Sequence, residues 1–324
     1  MKAMEAGVWA VVLAGGDGRR LLPLTSRLAG DARPKQFCAI WGAETLLDRT
    51  RRRVDLVCRF DRQIVVVNRR HEAHYRYLAQ ELAPGRLVIQ PENRDTGPGI
   101  VYPLLRIAEL AGEAPVVILP SDHYVSDDVR FMAHVQEAVD LVRALPETVV
   151  LLGIQATAPE TDYGWIEADG TPLLPGEGAF RVRGFWEKPS LAMARWLFAR
   201  GGLWNSFVIV GQVSRLLDLV EATAPELIAA LGPVRRAFGS SREAAAAEAV
   251  YAALPSINFS RLVLARAPDR FVTIPVRGVE WSDLGDPRRV VAMLRRTGQS
   301  VPWLAETTPP RQAEILVETR MVSS

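Results

Sequence analysis

The first half of the chain alternates short apolar segments with amphipathic ones, and this alternation most strongly restricts the possible folds. Residues 8–13 (VWAVVL) form an apolar, β-branched run that stops at Gly15 and Gly16, which predicts a buried strand followed by a tight loop. Further strands are predicted at 63–67, 86–89, 115–119 and 148–154, with helices at 45–57, 71–82, 97–111 and 128–145. This order predicts an α/β fold with a Rossmann-like, mixed and mostly parallel sheet flanked by helices.

The pattern changes after residue 155. Segments 163–168 and 180–186 alternate in polarity, as strands of a small antiparallel insertion do. Helices are predicted at 191–199, 213–221, 226–231, 241–254 and 287–296, and a late strand at 270–276. No repeat or Gly/Ser-rich linker divides the chain, so we expect one domain over residues 1–297 and a tail over 298–324.

Composition excludes several classes of protein. With 324 residues, 48% of them hydrophobic, the chain can bury a sizeable core and is not expected to be disordered. It has no apolar run of the roughly 18–20 residues that span a bilayer, and its net charge of +2 gives no general reason to expect nucleic acid. Cys38 and Cys58 are too few for a disulfide framework. We therefore expect a cytoplasmic protein with no membrane partner.

Lysine is rare in this chain, and its positions are informative. Of 39 basic residues only Lys2, Lys35 and Lys188 are lysines, so arginine supplies the other 36. A lysine carries a compact ammonium on a flexible stem, whereas the guanidinium of arginine is planar and forked. The two internal lysines, Lys35 and Lys188, are therefore candidates for positions where the choice of cation matters.

A glycine-rich loop follows the first predicted strand. It reads Leu13-Ala14-Gly15-Gly16-Asp17-Gly18-Arg19-Arg20 and lacks both the Gly-Lys-Ser/Thr of a P-loop and the third glycine of G-x-G-x-x-G. Glycines allow backbone N–H groups to approach a phosphate, and the adjacent arginines can add charge-assisted contacts. An ordinary tight turn explains these residues about equally well.

The continuation of this loop favours the phosphate site. Together with Pro23-Leu24-Thr25 and Arg33-Pro34-Lys35-Gln36-Phe37, the loop resembles the sugar-1-phosphate nucleotidylyltransferases, and Pro-Lys-Gln-Phe is most similar to their mannose-1-phosphate guanylyltransferase branch. The resemblance implies that Arg20 and Lys35 are catalytic and stabilise the charge of the phosphates. It also implies that the loop binds the nucleotide through Leu13, Ala14, Gly15, Gly16, Gly18 and Arg19, the last of which replaces the usual threonine.

Later segments resemble the same family in the same order. Residues 90–100 (QPENRDTGPGI) are similar to a Glu-Pro-x-x-Arg-Asn-Thr-Ala-Pro-Ala-Ile block beside the nucleotide base, with Gln90, Asp95 and two glycines as departures. From the residues alone, the segment is also typical of a strand-to-helix turn with Thr96 as the N-cap. Residues 256–259 (SINF) stand where many relatives have Ser-Ile-Asp-Tyr, so no role is assigned to Asn258. The nucleotide-binding residues implied by this block are Gln90, Arg94, Thr96 and Pro98.

Two aspartates are candidate metal ligands. Asp122 follows the predicted strand 115–119, and ligands bind beyond the carboxyl ends of strands in open α/β sheets. Residues 281–285 (WSDLG) resemble the family's Trp-Ser-Asp-Val-Gly, which implies that Asp283 is the second carboxylate. Mg²⁺ typically binds one or two carboxylates together with phosphate oxygens, so Mg²⁺ is the expected cofactor. A Ser/Asp turn or helix cap is the alternative for Asp122.

Three segments resemble the sugar-binding part of the family. Gly164, in Tyr-Gly-Trp-Ile, corresponds to a glycine that lets the sugar approach the backbone. Glu187 and Lys188, in Glu-Lys-Pro, correspond to residues that bind the sugar hydroxyls and the sugar phosphate, although a solvated charged pair is the alternative. Asn205, in Trp-Asn-Ser-Phe, corresponds to a sugar-binding asparagine, and Phe207 replaces the glycine that follows in the family.

The implied reaction transfers a nucleoside monophosphate from GTP to mannose-1-phosphate, giving GDP-mannose and pyrophosphate. The attacking phosphate oxygen is already an anion, so catalysis is expected to depend on positioning and charge stabilisation, with Lys188 as a third catalytic residue. A different sugar or base, and a non-catalytic regulatory paralogue, are open alternatives. The oligomeric state is left open as well, and a homo-oligomer is one possibility. The tail 298–324 shows no clear sign of the β-helix domain that many relatives carry.

Two further features have simpler explanations. Residues 49–76 contain nine arginines and three acids, which a nucleic-acid-binding or regulatory module could use. No basic motif with interleaved aromatic residues accompanies them, so a solvated helix surface and no nucleic-acid partner are expected. The pair His71 and His74 lacks a third ligand, so we expect the exposed face of a helix rather than a metal site.

Overall fold

The structure is a computed structural model that describes residues 7–173 and 178–299 together with residues 301 and 303. Its strands are β1 (Trp9–Ala14), β2 (Gln63–Asn68), β3 (Leu87–Gln90), β4 (Pro115–Pro120), β5 (Tyr124–Val125), β6 (Val149–Gln155), β7 (Gly164–Pro172), β8 (Phe180–Glu187), β9 (Leu203–Gln212), β10 (Phe271–Val276) and β11 (Trp281–Ser282). In the described part of the chain, nine of them form one sheet in the order β3-β2-β1-β4-β9-β6-β10-β8-β7, and β5 pairs separately with β11.

The mixed and mostly parallel sheet is confirmed. Strands β1 to β4 pair in parallel, and β6 pairs in parallel with β10. Strand β9 is antiparallel to both β4 and β6, and β8 is antiparallel to β10 and β7. Among the nine described strands of the sheet, only β8 and β9 therefore run against the others. The antiparallel strands belong to the same sheet, and β9, which the sequence did not predict, lies near its centre.

Helices cover both faces of this sheet, as predicted. They are α1 (Leu22–Ala29), α2 (Leu46–Val54), α3 (Glu72–Tyr75), α4 (Leu78–Glu81), α5 (Thr96–Ala111), α6 (Asp128–Ala144), α7 (Leu191–Ala199), α8 (Val213–Thr223), α9 (Pro225–Arg236), α10 (Glu243–Ala253) and α11 (Pro287–Arg296). Side chains of β1 alternate between two cores: Ala10 and Val12 pack with α2 and α6, whereas Trp9 and Val11 pack with α5 and α8. Within the described residues, none of the helices has the length and apolar character needed to traverse a bilayer.

In a third apolar cluster, residues near the end of the described chain pack against residues from its first fifty positions. It joins Leu24 of α1, Trp41, Tyr124 of β5 and Leu294 of α11. At the start of the expected tail, the indole N–H of Trp303 donates to the carbonyl of Ile40 over 3.2 Å. Residues 300, 302 and 304–324 lie outside the described residues, so the division at residue 297 stays a prediction.

Several local expectations are wrong. The predicted helix 71–82 is two short helices, α3 and α4, and His71 is buried against the ring of Phe37 rather than exposed. Two arginines of the expected solvated surface are also buried, because each has a carboxylate partner from another element: Arg51 pairs with Glu81 at 3.0 Å and Arg53 with Asp128 at 2.6 Å.

The start of α5 differs as well. Asp95, not Thr96, is the N-cap, and its carboxylate accepts the backbone N–H of Thr96 at 2.7 Å. Pro98 lies in the first turn, as predicted. Because Pro98 has no N–H to leave unpaired, this position suits it.

Candidate active site

A cavity of about 680 Å³ lies at the carboxyl ends of β1, β2, β3 and β4. In an open α/β sheet this edge is where ligands bind, because the loops that follow parallel strands converge there. Residues of β7, β8 and β9 and the segments 256–260 and 281–283 complete the lining. The residues that the sequence singled out and that line this cavity are Leu13, Gly15, Gly16, Arg19, Gln90, Thr96, Asp122, Gly164, Glu187, Asn205 and Asp283.

The buried side-chain amide of Gln36 fixes the glycine loop through two hydrogen bonds. The Nε2 of Gln36 donates to the carbonyl of Ala14 over 2.9 Å and to that of Gly16 over 2.7 Å. Gly18 has φ +60°, a backbone conformation that favours glycine. A Cβ on Gly15 would lie 2.5 Å from Nε2 of Gln90, whereas one on Gly16 would meet nothing within 4 Å. The loop is therefore packed closely at Gly15 and open at Gly16.

Lys35 connects the two segments that carry the candidate metal ligands. Its ammonium lies 3.3 Å from Oδ2 of Asp122 and donates to the backbone carbonyls of Asp283 and Leu284, the second at 3.4 Å. The side chain of Lys35 is only 10% exposed and that of Asp122 25%. Ser121 adds a hydrogen bond to the carbonyl of Leu13 at 2.7 Å, so the loop after β4 is tied to β1.

Arg289 of α11 is a cation that the sequence did not single out. Its guanidinium contacts Glu160 at 2.8 Å, Asp162 at 3.2 Å and Oδ1 of Asp283 at 3.2 Å, and it lies 4.5 Å from the ring centre of Tyr163. Arg20 reaches the same network, 3.7 Å from Asp162. Nothing in the sequence marks Arg289, because it is one of several arginines in α11 and belongs to none of the motifs.

The donor set fits a hard divalent cation shared with a ligand. Asp122 and Asp283 both line the cavity and offer carboxylate oxygens, which Mg²⁺ prefers. Within the described part of the chain no group of three or more His, Cys, Asp or Glu side chains could hold a metal ion by itself. Two carboxylates would therefore leave the remaining coordination positions of Mg²⁺ to oxygens of a bound phosphate and to water.

The residues predicted to contact a sugar are close together. A Cβ on Gly164 would lie 3.0 Å from Oε2 of Glu187 and 3.3 Å from Cβ of Asn205. Burial raises the pKa of Glu187, while the charges of Lys188 and Arg261 act in the opposite direction. The Asn205 side chain also accepts the N–H of Phe207 at 3.1 Å, which fixes its orientation.

Some of the singled-out residues are not part of the cavity lining. Arg94 donates from Nε to the carbonyl of Tyr251 at 2.9 Å, so its guanidinium is occupied in joining α10 to the loop before α5. Lys188 is exposed beside Glu187. The remaining members of this set are Ala14, Gly18, Arg20, Lys35 and Pro98, which lie in the elements directly behind or beside the lining residues.

Strained backbone concentrates around this cavity. Among the described residues, the non-glycine residues with positive φ are Asp95, Lys188, Phe207 and Leu284, with φ of 66°, 50°, 60° and 49°. Each one lines the cavity or directly follows a lining residue. Phe207 keeps a left-handed conformation at the position where the family pattern has glycine. Such conformations cluster at functional sites, because the surrounding structure must be organised to hold them.

The cavity also contains polar residues that were not selected from the sequence, among them Asp17 and His123. Asp17 in the glycine loop lies 3.6 Å from Nε2 of His71, and burial lowers the pKa of that histidine. Burial also lowers the pKa of His123 to about 4, so its imidazole is neutral. A signal existed for Asp17, which is the one acid between the glycines of the loop.

Comparison with known proteins agrees with this architecture. The model of the family described as nucleotidyl transferase matches residues 9–299. The xanthan biosynthesis protein XanB of Xanthomonas campestris pv. campestris is 31% identical over 301 residues, covering 90% of this chain and 60% of the relative. A mannose-1-phosphate guanylyltransferase of Sinorhizobium fredii is 31% identical over 285 residues, covering 85% of this chain and 52% of the relative.

A solved structure from Thermus thermophilus, described as a mannose-1-phosphate geranyltransferase, superposes with a TM-score of 0.76 at 30% identity, covering 91% of this chain and 80% of that one. The fold and the family match together identify the class: the chain belongs to the nucleotidyl transferase family. It spans about 60% of the length of the XanB relative and about half of the Sinorhizobium relative.

Proposed function

We propose that this chain transfers a nucleoside monophosphate from a nucleoside triphosphate to a sugar-1-phosphate. The proposed substrates, which are to be tested first, are GTP as the donor of GMP and mannose-1-phosphate as the acceptor. The observation that supports this proposal most directly is the position of Lys35. Its ammonium joins the segments of Asp122 and Asp283, and these two aspartates line one cavity together with the glycine loop. This arrangement suits a reaction in which phosphate charge must be neutralised and no base is needed.

Each part of the cavity has a task in this proposal. The open backbone at Gly16 and the cations Arg19 and Arg20 bind the triphosphate, and Lys35 stabilises charge on the leaving pyrophosphate. Lys188 is the exposed cation that meets the incoming sugar phosphate. Mg²⁺ held by Asp122 and Asp283 would add a Lewis acid that neutralises phosphate charge.

The substrate pair is proposed from the relatives and the motif. The Sinorhizobium relative bears the name mannose-1-phosphate guanylyltransferase, and Pro-Lys-Gln-Phe at 34–37 favours the same branch. XanB and the alginate biosynthesis protein AlgA carry names that specify no substrate, so the sugar and the base have to be tested directly.

Pyrophosphate release over a matrix of sugar-1-phosphates and nucleoside triphosphates tests the proposal. We expect release with mannose-1-phosphate plus GTP in the presence of Mg²⁺. Release with another pair alone would contradict the substrate assignment and keep the reaction, whereas no release with any pair would favour a non-catalytic protein.

A matched pair of variants tests the role of Asp283. Asp283→Asn should lower turnover by about 10²–10³-fold, the size of effect that follows removal of one preorganised electrostatic group from an active site. Asp269→Asn makes the same chemical change on the exposed turn before β10 and should leave turnover unchanged. Near-normal turnover of Asp283→Asn at saturating Mg²⁺ would exclude the metal role.

A further inference from the structure

Asp95 occupies a backbone conformation that a side chain seldom adopts. Its φ of 66° and ψ of −167° belong to a region populated almost only by glycine. The residue is half-buried and lines the cavity. At such a position the carboxylate of an aspartate makes contacts that glycine could not, and the cap of α5 is one of them.

The side chain of Asn258 holds this carboxylate. Its Nδ2 lies 3.2 Å from Oδ1 and 3.3 Å from Oδ2 of Asp95. The Oδ1 of Asn258 accepts the backbone N–H of Arg261 at 3.0 Å. Because that neighbour is a donor, the amide oxygen must face Arg261 and the NH₂ group must face Asp95. The pair is therefore one carboxylate and one amide in a fixed orientation.

Backbone hydrogen bonds keep the two residues together. The N–H of Ile257 donates to the carbonyl of Arg94 at 2.9 Å, and the N–H of Gly97 donates to the carbonyl of Ile257 at 2.8 Å. The N–H of Phe259 donates to Oγ1 of Thr96 at 2.9 Å. The segments 94–97 and 257–259 thus form one wall of the cavity, with Asp95 and Asn258 both on the lining.

Glu187 of β8 adds a second carboxylate beside this wall, and Lys188 and Arg261 bring positive charge near it. Asp95 and Glu187 lie within electrostatic reach of one another, since the charge of Asp95 adds to the effect of burial in raising the pKa of Glu187. Both carboxylates can accept hydrogen bonds from hydroxyl groups. The chemistry of the wall therefore suits the uncharged, hydroxyl-bearing ring of a ligand whose phosphates lie at the glycine loop.

We propose that Asp95 and Asn258 act as one carboxylate–amide pair that recognises ring hydroxyls of a substrate, either the sugar or the ribose of the nucleotide. Relative to the family pattern the two residue types are exchanged: aspartate stands for asparagine at position 95, and asparagine for aspartate at position 258. After the exchange the two positions still carry one carboxylate and one amide, and in this chain the two side chains are in contact. The inference rests on the proposed function, because it assigns substrate recognition to that same cavity.

A charge exchange between the two positions tests the pair. Asp95→Asn removes the only carboxylate of the pair, and Asn258→Asp places two carboxylates about 3 Å apart. Each single change should raise the KM of the hydroxyl-bearing substrate about 10–100-fold, the effect of losing a hydrogen bond to a charged group, with a smaller effect on kcat. The double variant Asp95→Asn with Asn258→Asp restores one carboxylate and one amide and should recover most of the lost affinity.

Two controls separate recognition from folding. Asp95→Gly suits the positive φ but has no carboxylate, so the relief of backbone strain should offset the lost cap of α5, and the variant should fold and still show the raised KM. Asp140 accepts the Nε2 of Gln136 over 2.8 Å on the exposed surface of α6. The same exchange there, Asp140→Asn with Gln136→Glu, should leave every KM unchanged.

Measuring the KM of each substrate separately identifies whether the pair contacts the sugar ring or the ribose ring. A higher KM for mannose-1-phosphate assigns the pair to the sugar, and a higher KM for GTP assigns it to the ribose. If the wild type turns over and Asp95→Asn or Asp95→Gly changes neither KM, the pair has no role in recognition, although the proposed function stands.

If the wild type shows no turnover, calorimetric titration can measure its binding of mannose-1-phosphate and of GTP instead. If the wild type shows no turnover but binds mannose-1-phosphate or GTP, weaker binding by Asp95→Asn supports the pair while the proposed function fails. Equal binding by the wild type and the variant, or no binding of either ligand by the wild type, overturns the pair.

Discussion

Replacing Lys35 by methionine should destabilise the fold as well as reduce turnover. The Lys35 ammonium is almost buried and has one carboxylate and two backbone carbonyls as partners. Methionine leaves Asp122 without its cation and both carbonyls without a charged donor. A fully buried pair costs about 3–5 kcal/mol to break, but Asp122 is 25% exposed and can be partly rehydrated. We therefore expect a loss of about 2–3 kcal/mol in the free energy of unfolding.

Urea unfolding followed by circular dichroism measures this loss, and a double-mutant cycle with Asp122→Asn assigns it. Asp122→Asn removes the charge that Lys35 neutralises, so the double variant should lose at least about 1 kcal/mol less than the sum of the single variants. Lys188→Met is the matched control, because it makes the same change at an exposed lysine and should alter stability by less than about 0.5 kcal/mol.

Two results would refute this reasoning. If Lys35→Met were as stable as the wild type, the ammonium could not be held in the buried network described for it. If the losses of Lys35→Met and Asp122→Asn simply added, the two side chains would not interact, and the contact of 3.3 Å would carry no energy.

Three shorter predictions concern other parts of the molecule. Gly164→Ala places a methyl group 3.0 Å from a carboxylate oxygen and should raise the KM for the sugar-1-phosphate about tenfold or more. Gly170→Ala is the control, because a methyl group there meets no atom within 4 Å and should leave this KM unchanged. Equal effects of the two variants in steady-state kinetics would contradict this prediction. Burial raises the pKa of Cys38 to about 11 and of Cys58 to about 12, so the folded protein should resist iodoacetamide at pH 8 and react only in urea, as mass spectrometry can show. Burial lowers the pKa of His71, so the folded state binds fewer protons than the unfolded state and stability should fall as the pH drops below about 6.5. His71→Gln should show a smaller fall between pH 7.5 and 5.5 in urea unfolding, and an identical fall would exclude this histidine as a cause.

The parallel strands could be predicted because each one is a short apolar run with its own local signal. Strand β9 could not, because Asn205, Ser206 and Gly211 interrupt its apolar pattern. In the folded chain the hydroxyl of Ser206 has a partner that no local window contains, because it donates to the carbonyl of Leu152 at 2.6 Å. A central strand that carries ligand-facing polar residues therefore resembles a loop in the sequence.

The residues of the candidate site also fall into two groups, those that the sequence could locate and those that it could not. Residues within motifs, such as Gly15 and Asp122, could be located from the sequence because their neighbours in the chain mark them. Arg289 and the pairing of Asp95 with Asn258 could not, since they depend on contacts between segments more than a hundred residues apart. The burial of His71 was missed for a similar reason: Phe37, which packs against it, belongs to a different segment.

The position of β9 between β4 and β6 has a consequence for the growing polypeptide on the ribosome. Strand β4 ends at residue 120, and the strand that pairs with its free side begins only at residue 203. At a synthesis rate of ~5–20 residues per second, β4 waits several seconds for this neighbour. During that interval its N–H and C=O groups form an unpaired edge, the kind of surface to which other extended chains add. The order in which the strands emerge, rather than their final stability, thus sets how long this edge of β4 stays open to other extended chains during synthesis.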